Sequence, residues 1–337
     1  MTQLSSIKNR QFLMLIVFIV LFSVAFLASI VFGQTPITFQ EALSSFVNYD
    51  ESSTEHIIIQ ADRLPRAIIG SIIGASLAVA GTLMQALTKN PLASPSVFGI
   101  NHGAIFFVVI GVLFFSVTSL IQLTALAFVG AAIAALIVYV LGAIGRNGLT
   151  PVKIVLAGAA ISALFQSYTQ ALLVLNETGL QDVLFWLAGS ISGRTLDMLI
   201  PVLPFIGTAI VSAMLMGKSI NLLATGDDIA KGMGQNVAIV KGLMGVIVVI
   251  LAGSSVAVVG AVGFIGLVIP HVARFFAGND YRWIIPFSGL LGAVLLLISD
   301  VLARFLIMPQ EVPIGVMTAL VGGPFFVYIA RKGVSKL

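Results

Sequence analysis

The chain has 337 residues, of which 59% are apolar and only 9% are charged, and its mean hydropathy is +1.12. So low a charge content excludes a soluble globular protein and indicates an integral membrane protein. The chain contains no cysteine, which excludes disulfide bonds and thiol chemistry.

Ten apolar runs predict an all-α polytopic membrane fold. The first run follows Lys8 and Arg10 and lacks a small-residue cleavage site, so we expect a retained span rather than a signal peptide. The eighth run is short for a crossing helix and is expected to be buried or partly re-entrant. Soluble loops are short, so residues 1–337 should form one membrane domain. The predicted spans cover residues 12–32, 64–87, 95–116, 121–144, 152–175, 197–217, 238–259, 264–276, 285–306 and 313–331.

The basic residues predict the orientation of the chain. An even number of spans places both termini on the same side, and 13 of the 17 Lys and Arg residues fall on that side. Because Lys and Arg are retained in cytoplasmic loops, both termini are predicted to be cytoplasmic. The four basic residues on the predicted outer side are Arg63, Arg66, Arg194 and Arg304.

The second predicted span has an unusual pattern. It opens with Arg63 and Arg66, three residues apart and therefore on one helix face. Small residues then recur at every fourth position, which lets a neighbouring helix approach closely. The run breaks at Asn90-Pro91, so we interpret this span as part of a pathway. The small residues are Gly70, Gly74, Ala78 and Thr82.

Two connecting segments are long enough to carry structure. The outer segment, residues 34–61, contains a predicted amphipathic helix over 38–47. The inner segment, residues 218–241, predicts a short helix capped by Thr225 or Asp227 and ended by Gly232 or Gly234. It is too small to fold as a domain and is interpreted as a docking element.

A faint internal repeat appears when the chain is shifted by 179 positions. Because span two runs inward and span seven outward, the two halves would be inverted copies, a recurrent plan in transporters. The matched pairs are Gly74 with Gly253, Ser76 with Ser255, Ala78 with Ala257, Val79 with Val258, Gly81 with Gly260, Pro91 with Pro270 and Gly99 with Gly278.

The sequence contains no catalytic constellation and no phosphate-binding loop of the GxxxxGK[ST] type, so any ATP use falls to another chain. The histidines are scattered without ligand spacing, and hydrogen bonding at helix ends is favoured over metal binding for His102 and His271. No metal or cofactor is therefore expected. Asp300 lies four residues before Arg304, which predicts a local ion pair. No carboxylate falls clearly at mid-membrane, which counts against a proton- or sodium-coupled carrier.

The outer arginines allow two interpretations. Arg63, Arg66 and Arg304 could pair within the chain, for instance with Asp62 and Asp300. They could instead dock an acidic partner, since Arg makes bidentate contacts with carboxylates. The residue pattern does not decide between them.

Five motifs stand out along the chain: RLPR at 63–66, GASLAVAGTLMQALTKNPLASPSVFGINHGA at 74–104, GFIGLVIPHVARF at 263–275, SDVLAR at 299–304 and EVPIGVMTALVGGPFF at 311–326. Together they resemble the FecCD-type permeases, the membrane subunits of binding-protein-dependent ABC importers for ferric siderophores, haem and cobalamin. The resemblance covers the whole chain in order, and it implies ten spans in the type II ABC importer permease fold, like that of the cobalamin importer, with an inverted repeat.

The resemblance also implies partners and residue roles. Two permease subunits would form a dimer around the pathway, above two ABC ATPase subunits and below a substrate-binding protein that is a lipoprotein or periplasmic. Arg63, Arg66 and Arg304 would dock that protein, and Asn90 and Leu92 would form an inner gate. Span five would hold the outer gate, with Ser162, Ala163 and Ser167 as candidates. The ATPase-coupling residues would be Gly226, Asp227, Asp228, Ala230 and Gly234.

We therefore expect a permease subunit, not an enzyme, in a bacterial cytoplasmic membrane, in contact with lipid and with no nucleic acid partner. The cargo is expected to be an iron(III)–siderophore complex, with cobalamin or haem as alternatives. The second permease could be a copy or a sibling chain. The alternative from a different functional class is an ion-coupled secondary transporter. A membrane enzyme is disfavoured because the sequence lacks catalytic residues.

Overall fold

The computed structural model describes residues 2–144, 150–176 and 186–332. Arg146, Glu177, Asp182 and Lys336, which entered the prediction of orientation, lie outside these residues. A π-helical turn, Ile59–Arg63, joins α3 to α4, and a 3₁₀ turn, Pro95–Phe98, precedes α5. The helices are α1 Thr2–Val31, α2 Phe39–Val47, α3 Thr54–Ile58, α4 Leu64–Thr88, α5 Ile100–Phe115, α6 Leu120–Ala143, α7 Pro151–Leu175, α8 Leu196–Leu199, α9 Leu203–Leu215, α10 Gly217–Ala224, α11 Asp227–Gly232, α12 Val237–Val259, α13 Ile265–Ala277, α14 Tyr281–Phe305 and α15 Ile314–Lys332.

The predicted all-α polytopic fold is confirmed. Six of the described helices are long and apolar enough to cross a membrane, and α9 with α10 makes a seventh candidate that bends by 54°. Three shorter apolar helices, α5, α13 and the apolar part of α15, bring the described set to the ten expected positions. We name the two ends of the bundle by the predicted orientation, so that Arg66 lies at the outer end and Lys89 at the inner end.

Helix α4 lies at the centre of the bundle, and 20 of its 25 residues are buried. The predicted stripe of small residues faces α14. A Cβ on Gly74 would lie 2.4 Å from the carbonyl oxygen of Gly292, and Thr82 donates a hydrogen bond to Ser288 at 2.9 Å. The close helix approach expected from the stripe is therefore confirmed.

Two half-length helices begin near the middle of the bundle. After α4 ends at the inner end, the chain turns back, so that Gly99 lies beside Ile161 and Ser162 near the middle of α7. After α12, Phe264 packs against Gly322 in the middle of α15, and α13 starts there. At 13 residues, α13 spans only about 20 Å, less than the ~30 Å membrane core. The expectation that the eighth span is short and buried is confirmed.

The two reversals meet each other in the core. A Cβ on Gly266, in the first turn of α13, would lie 3.0 Å from Cδ of Pro95. The half-helix α5 is followed by α6 and then by α7, the fifth span, and α13 is followed by α14 and then by α15, the tenth span. The same order of spans in both halves agrees with two inverted halves. The predicted register of the repeat holds in part. A shift of 179 positions pairs α4 with α12, from Gly74 with Gly253 to Val79 with Val258. Beyond α4 it pairs Gly99, before α5, with Gly278, before α14, so there it joins unlike elements.

Several predicted boundaries are wrong for identifiable reasons. The third span starts as a helix at Ile100 rather than at 95, because Gly99 has a φ of +69° and interrupts the chain after the 3₁₀ turn. The ninth starts at Tyr281, four residues earlier than predicted, because Asp280 caps it. The sixth is divided into α8 and α9, with a proline in the first turn of α9.

The predicted outer helix is confirmed as α2. Thr38 caps it by accepting a hydrogen bond from the Glu41 N–H, while the Glu41 carboxylate accepts one from the Thr38 N–H, which completes a capping box. Phe39 and Leu43 expose apolar side chains on this helix. An exposed apolar face is typical of a helix at the membrane interface.

Candidate functional site

The outer end of the bundle holds a cluster of buried charges around Asp300 of α14. Arg66 Nη2 donates to Asp300 Oδ1 at 2.8 Å, and Arg304 Nη2 donates to Asp300 Oδ2. Arg66 Nη1 also lies 2.9 Å from the Glu311 carboxylate. The predicted pairing of Asp300 with Arg304 is thus confirmed. The carboxylate and the two guanidinium groups neutralise each other, and an unpaired charge of either sign would be unfavourable in the core.

Two of the outer arginines also cap the C-terminus of α1. Arg63 donates to the carbonyl oxygens of Ile30, Val31 and Thr35, and Arg304 donates to those of Ser29 and Phe32. The last carbonyls of a helix have no partner within the helix, and a cation there is favoured by the helix dipole. The arginines therefore hold α1 against α4 and α14.

The geometry matches the interpretation that these arginines pair within the chain. Arg63, Arg66 and Arg304 are only 2%, 4% and 2% exposed. Gly33 covers Arg63, since a Cβ there would lie 2.7 Å from Nη2. Nε of Arg66 and Nε of Arg304 have no hydrogen-bond partner among the described residues. Docking through these side chains stays a prediction.

At the inner end, α10 and α11 form a compact pair, as the sequence indicated, but the capping differs. The N-cap of α11 is Gly226, whose φ of +126° suits glycine, and Asp227 is the first helical residue. Thr225 instead ends α10 and donates to the carbonyl of Leu222. The predicted glycine end is confirmed at Gly232, with Gly234 following at a φ of +83°.

Asp227 ties this inner segment to two spanning helices. Its Oδ1 lies 2.9 Å from Nζ of Lys89, at the end of α4, and its Oδ2 lies 2.5 Å from Nζ of Lys241, in α12. Partial burial acts to raise the pKa of Asp227, but the hydrogen bonds from Lys241 and Lys89 lower it by more, so the carboxylate stays ionised at neutral pH. The two lysines were not predicted as functional residues, because each reads in isolation as an ordinary positive-inside charge.

The remaining residues of the inner segment differ in exposure. Asp228 is exposed, whereas Ala230 is fully buried, so the Ala230 side chain packs inside the segment. Ile229 and Met233 are 56% and 69% exposed. These two apolar side chains were not predicted as contact residues, although apolar residues at i and i+4 on a short polar helix are a signal for a partner surface.

The predicted inner gate lies where the chain turns back after α4. Asn90 forms an Asx turn, in which its Oδ1 accepts a hydrogen bond from the Leu92 N–H at 2.9 Å. Lys89, just before it, has a φ of +51°, as expected for a helix C-cap. Asn90 therefore has a structural role in shaping the turn, and its gating role stays a prediction.

The predicted outer-gate residues lie on α7 but not together at its outer end. Ser162 is beside Gly99 near mid-helix, while Ala163 and Ser167 are exposed on the open face of α7. Gln166 and Gln170 share that exposed face. A spanning helix with exposed glutamines is unfavourable against lipid, so this face requires a polar environment.

The histidines do not form a metal site. Among the described residues, no group of three or more His, Asp or Glu side chains could hold a metal ion. Both ring nitrogens of His56 are used, one by Ser44 and one by the Asp50 N–H. His102 Nδ1, by contrast, is buried with no partner among the described residues, so the predicted helix-end hydrogen bond is not found at that atom.

These features define a class of protein: a polytopic helical permease with half-length helices meeting in its core and a small helical segment at its inner end. The family model of the FecCD transport family matches residues 19–332, and the chain belongs to that family. It is the permease subunit of an ABC importer, a transport component of the cytoplasmic membrane that works with ATPase and binding-protein partners.

Relatives and solved structures agree with this assignment. The chain is 52% identical over 325 residues to "Probable siderophore transport system permease protein YfiZ" of Bacillus subtilis (strain 168), covering 96% of this chain and 97% of the relative. It is 43% identical to "Fe(3+)-citrate import system permease protein YfmD" of the same organism, covering 97% and 96%. The solved structure titled "An inward-facing conformation of a putative metal-chelate type ABC transporter" superposes with a TM-score of 0.83 at 25% identity, covering 95% of this chain and 99% of that one.

Proposed function

We propose that this permease moves an iron(III)–siderophore complex across the membrane, with both termini in the cytoplasm and residues 1–337 acting as one transmembrane unit. The observation that carries the cargo class is the 52% identity, over 96% of the chain, to a relative named for siderophore transport. A second relative is named for iron(III) citrate. Siderophores and citrate are both small chelators that bind iron(III).

The cargo test compares cells with and without the gene. Labelled iron is offered on hydroxamate, catecholate and carboxylate chelators, beside cobalamin and haem. Loss of uptake of one ferric chelate is expected and would identify its chemistry. Loss of cobalamin or haem uptake with all iron uptake retained would overturn the cargo class and leave the permease fold intact.

The ATPase is proposed to bind the inner segment, residues 218–241. Ile229 and Met233 present an apolar surface there, and Asp228 adds an exposed charge beside it. Gly226, Asp227, Ala230 and Gly234 shape and anchor this surface. Met233→Glu should prevent copurification of the ATPase, because a carboxylate is unfavourable in an apolar contact. Val47→Glu, at a similarly exposed apolar residue of α2 on the outer side, should leave copurification unchanged; equal losses would contradict the assignment.

A binding protein is proposed to dock on the outer end around Arg63, Arg66 and Arg304. The concentration of three cations there and the two unpartnered Nε atoms support this, but the low exposure requires Gly33 and its neighbours to move aside. Arg63→Glu with Arg66→Glu should weaken docking, and the loss should shrink at high salt. Asp300→Asn disturbs the same network with all arginines present. If Asp300→Asn weakens docking as much as the double arginine variant does, the arginines affect docking only by stabilising the fold.

A second permease subunit, a copy or a sibling, is proposed to cover the exposed polar face of α7, where Ser162, Ala163 and Ser167 would gate the pathway. The face carries Gln166 and Gln170. Because the chain has no cysteine, Ser167→Cys introduces a single thiol. A disulfide between copies is expected for a homodimer and is absent for Val211→Cys on the exposed apolar face of α9. A cross-link to a sibling subunit bearing a matching cysteine would establish a heterodimer.

A further inference from the structure

An apolar groove of about 450 Å³ lies between α6 and α12, two helices that are long and apolar enough to cross a membrane. Phe98, in the 3₁₀ turn that brings the chain back to mid-bundle, lines its buried side. Among the described residues that line the groove, none carries a charge and Tyr139 alone has a polar side chain. The groove therefore suits an apolar occupant.

The groove is a wedge that widens towards the inner end of the bundle. Gly242, Gly245, Val249 and Gly253 share one face of α12, because they are three or four residues apart. A Cβ on Gly253 would lie 3.3 Å from Cβ of Ala131, so α6 and α12 are in contact there. A Cβ on Gly242 or Gly245 would meet no described atom within 4 Å. The two helices have therefore separated at the level of these glycines.

The mouth of the wedge is continuous with the lipid-facing surface of both spans. Leu136, in α6, and Val246, in α12, line the groove and are more than half exposed. Tyr139 is exposed about one turn before the inner end of α6, where aromatic side chains with a polar tip mark the membrane interface. The groove thus begins at the interface and runs into the hydrocarbon core, as an acyl chain does.

The size of the groove matches one acyl chain. A methylene group is similar in size to a water molecule, whose share of liquid volume is about 30 Å³, so the groove holds roughly 15 such groups. An α-helix with its side chains is about 10 Å across and does not fit into a wedge that closes at Gly253.

We propose that the acyl chain of a phospholipid, from the leaflet at the inner end, binds in this groove and packs against Phe98. An empty groove would leave Phe98 without packing atoms on one side, and the bound chain supplies them. Because Phe98 belongs to the turn between the proposed inner gate and α5, the lipid stabilises the position of that turn. The site does not depend on the identity of the cargo.

The first test counts the phospholipids that the purified complete importer retains in mild detergent, by native mass spectrometry. Gly245→Leu fills the groove, and Gly242→Leu fills it independently should the first variant fail to fold. Gly207→Leu is the matched control, because Gly207 is an exposed glycine inside α9 whose Cβ would also meet no described atom within 4 Å. Wild type and Gly207→Leu should retain one phospholipid more per permease than the groove variants do.

Equal retention in all four proteins would overturn the proposal. Loss of a copurifying protein from the groove variants, with an unchanged lipid count, would overturn it as well and assign the groove to a protein partner.

The second test measures melting temperature after lipid is added to the detergent-purified importer. A ligand of the folded state raises the melting temperature, so dioleoyl phosphatidylglycerol should stabilise wild type and Gly207→Leu more than Gly245→Leu. Dihexanoyl phosphatidylglycerol should not reproduce this difference, because its chains are too short to reach Phe98. Dioleoyl phosphatidylcholine should reproduce it, because the lining carries no charge. A difference that follows the headgroup rather than the chain would overturn the proposal.

Discussion

The carboxylate of Asp227 lies 2.9 Å from the ammonium group of Lys89, although 138 positions separate them in the chain. Lys89 is the C-cap of α4, and the proposed inner gate begins at the next residue. The second oxygen of Asp227 holds Lys241 of α12. One carboxylate therefore joins the inner segment to the end of the central helix. We expect a movement of α11 to reach the turn at Asn90 through this contact.

Asp227→Asn should uncouple ATP hydrolysis from transport. The amide cannot hold two ammonium groups, so the link between α11 and α4 weakens. Coupling energies between sites are typically 1–3 kcal/mol, so we expect transport per ATP to fall by roughly 5- to 150-fold in reconstituted vesicles. Asp228→Asn is the comparison within the same helix, since Asp228 is exposed and forms no ion pair among the described residues; it should weaken ATPase binding and leave transport per ATP in the assembled importer unchanged. Equal effects of the two variants would show that the ties to Lys89 and Lys241 carry no coupling.

The contribution of Asp280 to stability should depend on pH. Asp280 caps α14 and accepts hydrogen bonds from Arg282 and Asn221 of α10. The Arg282 hydrogen bonds are the main cause that lowers the pKa of Asp280 to about 2, against the opposing effect of partial burial. Because the pKa is lower in the folded state, the stabilisation is complete above the ordinary value near 4 and is lost as the pH falls towards 2.

Asp280→Asn isolates this charge, because asparagine caps helices as well as aspartate does. The Arg282 side chain is 55% exposed, so screening should limit the loss to roughly 0.2–1 kcal/mol. Melting temperatures in detergent should differ between variant and wild type by a constant amount from pH 5 to 8, and by less at high salt. A difference that grows as the pH falls below 4 would contradict the assigned sign.

Gly74→Ala should destabilise the contact between α4 and α14. The new Cβ would lie 2.4 Å from a backbone oxygen of Gly292, which cannot rotate away. Overpacking of this kind costs roughly 1–3 kcal/mol. Gly289→Ala is the control on the same interface, because its Cβ would meet Val79 at an ordinary 3.7 Å. Thermal unfolding should show a lower melting temperature for Gly74→Ala alone. Equal melting temperatures for the two variants would mean that α4 and α14 can move apart without loss of stability.

The sequence predicted what depends on local pattern and could not predict what depends on distant partners. The stripe from Gly70 to Thr82 and the amphipathic outer helix over 38–47 follow from spacing alone, and both are confirmed. The return of the chain to mid-bundle after Asn90 was beyond reach, because proline and glycine mark a break without giving its direction. The burial of Arg63 depends on α1 and Gly33, which the motif at residues 63–66 does not contain.

Asp300→Asn should be the most damaging of the conservative changes at the outer end. Its carboxylate, 3% exposed, neutralises both Arg66 and Arg304. Removing one partner of a buried ion pair leaves an uncompensated charge and typically costs about 3–5 kcal/mol. Glu311→Gln provides the comparison, since Glu311 binds the same Arg66 but is 25% exposed, so solvent can replace it. We expect a much larger drop in melting temperature for Asp300→Asn. Equal drops would show that the cluster is solvated, and the arginines would then be accessible to a docking partner without any movement of the loop at Gly33.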